Sequence, residues 1–128
     1  MKILYVEDNE DNVYLLRRRL AREPVTLLVA ANGIEGVRMA VEERPDVILM
    51  DIDLPDIDGW EATARIRSAA ATRAIPIIAL SAGATDADRA RSLAAGCNDY
   101  DTKPIDLARL KAKIDAVVGS APSSGRPA

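Results

Sequence analysis

Val47-Ile48-Leu49-Met50-Asp51-Ile52-Asp53-Leu54-Pro55-Asp56-Ile57-Asp58-Gly59 is the stretch that decides the fold. Its first four residues are apolar without alternation, the pattern of a strand buried on both faces of a parallel sheet. Asp51 ends the run, and a segment rich in Asp, Pro and Gly follows. Four more runs occur outward from it, at residues 3–6, 25–31, 77–80 and, more weakly, around Tyr100. Pro45 and Pro76 precede two of the runs and suit strand entrances.

The segments between the runs have helical spacing. Val13, Leu16 and Leu20 fall at i, i+3 and i+7, as do Ile34, Val37 and Val41. Leu107, Leu110, Ile114 and Val117 line one face of a last helix. Asn32 with Glu35, Asp58 with Glu61, and Thr85 with Asp88 resemble N-cap and third-position pairs, and Asp106 suits the cap of the last helix. Five strand–helix units in alternation predict an open parallel sheet with helices on both faces and right-handed crossovers.

The chain has 128 residues, which suits one domain. Trp60 and three tyrosines are its only aromatics, so the core is expected to be aliphatic and rich in alanine. The net charge of −3 argues against non-specific nucleic-acid binding. Cys97 is the only cysteine, which excludes an internal disulfide, suits a reducing cytoplasm and reads as a small buried filler. The apolar run at the start is too short for a signal peptide, and no stretch has the length of a membrane span. With no histidine anywhere, the chemistry must rest on carboxylates, hydroxyls and lysine. From Gly119 the composition turns to Ser, Pro, Gly and Ala, so residues 1–118 read as the domain and 119–128 as a flexible tail.

Sites of open parallel sheets form at the carboxyl ends of the strands. Here those ends carry Glu7 and Asp8, then Asp51, then Ser81, then Lys103. Two carboxylates about 5 Å apart repel by roughly 3 kcal/mol at an effective dielectric near 20. Three need a cation beyond Lys103, and oxygen-only donors favour Mg2+ over zinc. An Asp held against a metal and a lysine suits nucleophilic attack on phosphorus, with no separate general base. Asp56 and Asp58 read more simply as helix caps.

These motifs resemble the receiver domain of two-component response regulators. The resemblance rests on residues 5–9 (Tyr-Val-Glu-Asp-Asn), 49–59 around Asp51, 75–82 around Ser81 and 96–105 around Lys103, and runs from about Lys2 to Val118. It implies a flavodoxin-like (βα)5 doubly wound five-stranded sheet in the order 2-1-3-4-5. It implies Asp51 as phosphoacceptor, Asp8, Asp51 and the Asp53 backbone carbonyl as Mg2+ ligands, and Glu7 acting through metal-bound water. Ser81 would be the switch hydroxyl, Lys103 the phosphate-binding amine, and Tyr100 an aromatic that turns inward on activation. The Lys103–Pro104 bond is expected to be cis, and Asp53 and Gly83 to tune loss of the phosphoryl group. Ser81 stands where Thr is frequent in the family, and Glu7 where Asp is frequent.

The implied partners are a histidine kinase or histidine phosphotransfer protein as donor, and a downstream protein reached through the surface of the fourth helix, fifth strand and fifth helix. Neither nucleic acid nor membrane is expected as a partner. Asn12, Leu15, Pro104 and Ile105 are candidate partner contacts, and Leu15 lies off its helix stripe near the acidic edge. Arg17, Arg18, Arg19 and Arg22 form a basic cluster, either a solvated face or a docking patch for an acidic partner. The segment 7–12 most resembles stand-alone regulators of the DivK type; since receivers of hybrid kinases share it, a receiver fragment of a larger hybrid kinase or regulator is the alternative. A haloacid-dehalogenase-type phosphatase is the enzyme alternative, since Asp51-x-Asp53 follows an apolar strand. The Glu7-Asp8 pair and the position of the motif disfavour it. A flavin binder is disfavoured by the missing phosphate loop. The helix at 86–95, with Leu93 its only large apolar residue, is expected to dock loosely.

Overall fold

The computed structural model describes residues 1–83 and 85–120. Its elements alternate: β1 (Lys2–Val6), α1 (Glu10–Arg19), β2 (Thr26–Ala30), α2 (Gly33–Glu43), β3 (Val47–Asp51), α3 (Gly59–Ser68), β4 (Ile77–Ser81), α4 (Asp86–Ala95), β5 (Asp99–Thr102) and α5 (Leu107–Ser120). The strands form one parallel sheet in the order β2-β1-β3-β4-β5. All five predicted runs are strands. The last helix continues through Ser120, so Gly119 and Ser120 belong to it and not to the tail expected from composition. Residues 121–128, the rest of that tail, lie outside the described residues.

Strand alternation divides the core in two. Leu4, Val6, Ile48 and Met50 pack with Ala40 of α2 and Ala62 and Ile66 of α3. Ile3, Tyr5, Val47 and Leu49 pack with Leu16 and Leu20 of α1 and with Leu110, Ile114 and Val117 of α5. Both faces are thereby covered, which is why the strands tolerate unbroken apolar runs.

The predicted stripe on α2 needs correction. Ile34 and Val41 are 56% and 44% exposed, while Gly33, Gly36 and Ala40 are buried. Small residues let α2 lie against β1: a Cβ at Gly36 would stand 2.8 Å from the Val6 side chain. Close backbone approach, not side-chain size, selects the buried face here.

The caps form as expected. Asn32, Asp58 and Thr85 accept from the backbone N–H of Glu35, Asp58's partner Glu61, and Asp88 respectively, and Asp106 accepts from Arg109. Asn9 caps α1 in the same manner. Asp56 does cap a helix, but across the chain: it accepts from Gly33 and Ile34 at the start of α2, both at 2.8 Å.

Arg67 of α3 is a feature that the sequence did not announce. Its guanidinium donates to the carbonyls of Gly96, Arg73 and Ile75 and to the Asn98 side chain. It thus ties α3 to the entrances of β4 and β5. Cys97 is buried beside Thr63, with Sγ 3.6 Å from its hydroxyl, and burial raises its thiol pKa. No helix among the described residues is long and apolar enough to cross a membrane.

Candidate functional site

Register brings the candidate residues to one edge. Val6 pairs with Met50, Asp51 with Leu80, and Ser81 with Thr102, so Glu7, Asp51, Ser81 and Lys103 all stand at or just beyond strand ends. Gly59 helps to fix Asp51. A Cβ there would run into the Asp51 carbonyl oxygen and lie 2.7 Å from the Ile52 Cα, so only glycine lets α3 begin against the end of β3. The Gly59 N–H donates to the Ile52 carbonyl at 3.1 Å.

Glu7, Asp8 and Asp51 each offer a carboxylate oxygen, and these three atoms lie within 4.8 Å of one another. Glu7 and Asp51 are buried at 2% exposure, whereas Asp8 is exposed. Lys103 reaches from β5 across two strands and places Nζ 2.5 Å from Glu7 Oε1 and 3.3 Å from Asp51 Oδ1. Glu7 also accepts from the Tyr5 hydroxyl, the Asn9 N–H and the Asn12 side-chain amide. Glu7 is thus the main anchor of Lys103.

Crowding divides the protonation of the two buried carboxyls. Burial, and then the hydrogen bond and charge of Glu7, push the Asp51 pKa up to about 7, against the pull of Lys103. Burial pushes Glu7 up as well, but hydrogen bonds from Asp51 and Lys103 outweigh it and hold Glu7 below its usual value. Burial works against the Lys103 charge, yet Glu7 and Asp51 together raise its pKa. Burial and the neighbouring Glu7 also raise Tyr5. Around neutral pH the Glu7–Asp51 pair thus readily holds a proton. Two buried carboxylates and an exposed third, all hard oxygen donors, fit a small divalent cation that keeps several waters.

The other expected residues fall into two groups. The Asp53 N–H donates to Asp51 Oδ1 at 3.2 Å, which sets its peptide unit beside the candidate nucleophile. Asn12, Leu15, Pro104 and Ile105 line one groove together with Lys103 and Arg19, and the Lys103–Pro104 bond is cis. The Ser81 hydroxyl, by contrast, makes its hydrogen bonds with Gly83 and Asp88. Tyr100 is already inside, at 7% exposure beside Ala79, and its hydroxyl has no hydrogen-bond partner among the described residues. The ring packs in the same apolar cluster as Ala79.

Comparison with known proteins agrees with this geometry. A response regulator receiver domain matches residues 3–115. The polar-differentiation response regulator DivK of Brucella anthropi is 38% identical over 119 residues, covering 93% of this chain and 97% of that protein. Hybrid signal transduction histidine kinase G of Dictyostelium discoideum is 41% identical over 118 residues, but there the chain spans only 3% of the relative's length. Among solved structures, the receiver domain of a Pseudomonas aeruginosa sensor histidine kinase has a TM-score of 0.86 at 42% identity, covering 93% of this chain and 98% of that one. That structure holds a magnesium ion in its active-site cleft. A receiver domain from Saccharomyces cerevisiae, co-crystallised with a histidine phosphotransfer protein, has a TM-score of 0.81 at 34% identity, covering 90% and 86%. By fold, by strand-end chemistry and by these matches, the chain belongs to the response regulator receiver domain family, whose members are phosphoacceptor signalling domains.

Proposed function

We propose that Asp51 accepts a phosphoryl group from a histidine of a kinase or phosphotransfer protein, with Mg2+ held by Asp8, Asp51 and the Asp53 carbonyl and with Glu7 behind it. One observation carries this reading: a buried carboxyl, Asp51, faces both an ammonium and two further carboxyl groups within 4.8 Å. An Asp51 oxygen attacks phosphorus, the P–N bond to the donor imidazole breaks, and the imidazole leaves with the bonding pair. The product is an acyl phosphate on Asp51. Bound Mg2+ supplies neutralisation of the phosphoryl oxygens. Lys103, anchored by Glu7, offers a second positive contact, and Ser81 can turn its hydroxyl towards a third oxygen. No general base is needed once Asp51 is ionised.

The chain then signals by a population shift, presenting an altered α4–β5–α5 surface to a protein partner. The likeness to DivK over nearly all of that protein's length supports a stand-alone role of this kind. The complex seen for the yeast receiver supports a phosphotransfer protein as donor. Asn12, Leu15, Pro104 and Ile105, which line one groove beside Lys103, would be its contacts. A cytoplasmic setting suits the lone thiol of Cys97. Loss of the phosphoryl group by hydrolysis would be tuned at Asp53 and Gly83.

Incubation with acetyl phosphate and Mg2+ tests the chemistry. A single phosphoryl adduct is expected in the intact mass, released by hydroxylamine and absent with chelator or in Asp51→Asn. Labelling that persists in Asp51→Asn, or without a divalent ion, overturns the assignment.

A further inference from the structure

The Ser81 hydroxyl makes one short and one long hydrogen bond, neither of them to Asp51. Its oxygen accepts from the Gly83 N–H at 2.9 Å, and its proton points to Asp88 Oδ2 at 3.4 Å. Ser81 is 1% exposed, while its partners Gly83 and Asp88 reach the surface. Asp88 lies in the first turn of α4, half-buried, and its approach depends on Gly83. A Cβ at Gly83 would stand 2.6 Å from Asp88 Oδ2 and 3.4 Å from Ser81 Oγ. Glycine therefore leaves the space through which the carboxylate reaches the hydroxyl.

The same residue begins a chain of contacts that leaves the site. The Asp88 carbonyl accepts from Ser92 Oγ at 2.8 Å, and Ser92 Oγ accepts from the Trp60 indole N–H at 2.9 Å. The Arg91 guanidinium stacks 4.0 Å above the Trp60 ring. Apart from Ser92, α4 buries no residue, so these polar contacts bear much of its attachment to α3.

We propose that Asp88 is a positioning residue that holds the Ser81 hydroxyl in the resting arrangement, so that Ser81 must break from α4 before it can serve a phosphoryl group on Asp51. This rests on the phosphoacceptor reading above and extends it to regulation. Ser81 has one proton to donate. Asp88 and the phosphoryl oxygen compete for it, and the competition sets how far the resting state is favoured. Because Asp88 is part of α4, the exchange also frees the helix that Trp60 and Arg91 hold.

The test is a double-mutant cycle read by calorimetric titration with beryllium fluoride, a tetrahedral stand-in for the phosphoryl group, in saturating Mg2+. Asp88→Ala is expected to bind the anion about fivefold more tightly than the parent, the worth of one modest hydrogen bond to a charged group. Asp88→Asn, which keeps the shape and a weaker acceptor, is expected to fall between them. In a Ser81→Ala background, Asp88→Ala is expected to change nothing, because the hydroxyl it restrains is gone. Asp86→Ala removes the same charge from the same helix turn without touching Ser81, and should leave affinity near the parent value. An equal gain with and without the Ser81 hydroxyl, or no gain from Asp88→Ala or Asp88→Asn, overturns the restraint and leaves the phosphoacceptor reading standing. A parent chain that binds Mg2+ but no beryllium fluoride removes both.

Discussion

Asp51 and Glu7 are two buried carboxyls that share one ammonium, and that imbalance governs how the site responds to pH. Asp51 titrates near 7, above the ordinary carboxylate value, because of burial and the neighbouring Glu7. Its contribution to stability is therefore in place at low pH, below the unfolded value near 4, and is lost as pH rises through about 7. Glu7, held below its usual value, works in the opposite sense and loses its contribution only as acid drives it through its lowered folded value. In the proposed mechanism the ionised form of Asp51 is also the one that would hold the metal. The stabilisation conferred by Mg2+, read as the rise in Tm, is thus expected to grow between pH 6 and 8, and a pH-independent rise would count against this account. Without Mg2+ at pH 8, Asp51→Asn should be more stable than the parent by about 1–2 kcal/mol in denaturant unfolding, since it relieves carboxylate crowding. At the same scale, Arg67→Ala should lose about 2–3 kcal/mol, because several carbonyls at the entrances of β4 and β5 lose a charged donor at once. Arg67→Lys should restore only part of this, since one ammonium cannot span the acceptors that the guanidinium fork reaches.

At the scale of the element, α4 and α5 differ in what holds them. Leu110, Ile114 and Val117 root α5 in the core beneath β1, β3 and β4. In α4 only Ser92 is buried, and Leu93 stays 38% exposed. Amide hydrogen exchange is expected to be faster throughout α4 than in the middle of α5, with the difference changing when the site is loaded with Mg2+ and a phosphoryl analogue. Equal protection in the two helices would contradict a loosely attached α4. Trp60 is the chain's single tryptophan and touches α4 through Ser92 and Arg91, so its emission offers an optical record of the same movement.

For the whole molecule, the groove between α1 and the turn after β5 sets the proposed docking contacts beside the acidic site. Leu15 is 51% exposed and lines that groove with Asn12, Pro104 and Ile105, next to Lys103. Leu15→Ala should slow phosphoryl transfer from a phosphotransfer protein by tenfold or so while leaving labelling by acetyl phosphate unchanged, since only the macromolecular donor must dock there. Folding stability should move by less than about 0.5 kcal/mol, as for other exposed positions. Arg17, Arg18, Arg19 and Arg22 are all exposed, Arg19 lines this groove, and the described residues show no carboxylate paired with them. Reversing their charge should lower the association rate with an acidic donor and invert its salt dependence.

The sequence by itself determined the five βα units, the sites of four helix caps and the set of residues gathered at the sheet edge. Each follows from a local rule: unbroken apolar runs, a capping side chain three residues before its N–H, a charged residue where a buried strand ends. Tertiary structure decided what depends on who faces whom. It placed Asp56 on a helix far along the chain, let glycines and Ala40 in place of Ile34 and Val41 form the buried face of α2, and drew Arg67 over two strand entrances. It also gave Lys103 to Glu7 as well as Asp51, and turned Ser81 towards Asp88. Those outcomes rest on contacts between residues that are distant in sequence or on packing too close for a side chain, and neither leaves a periodic trace along the chain.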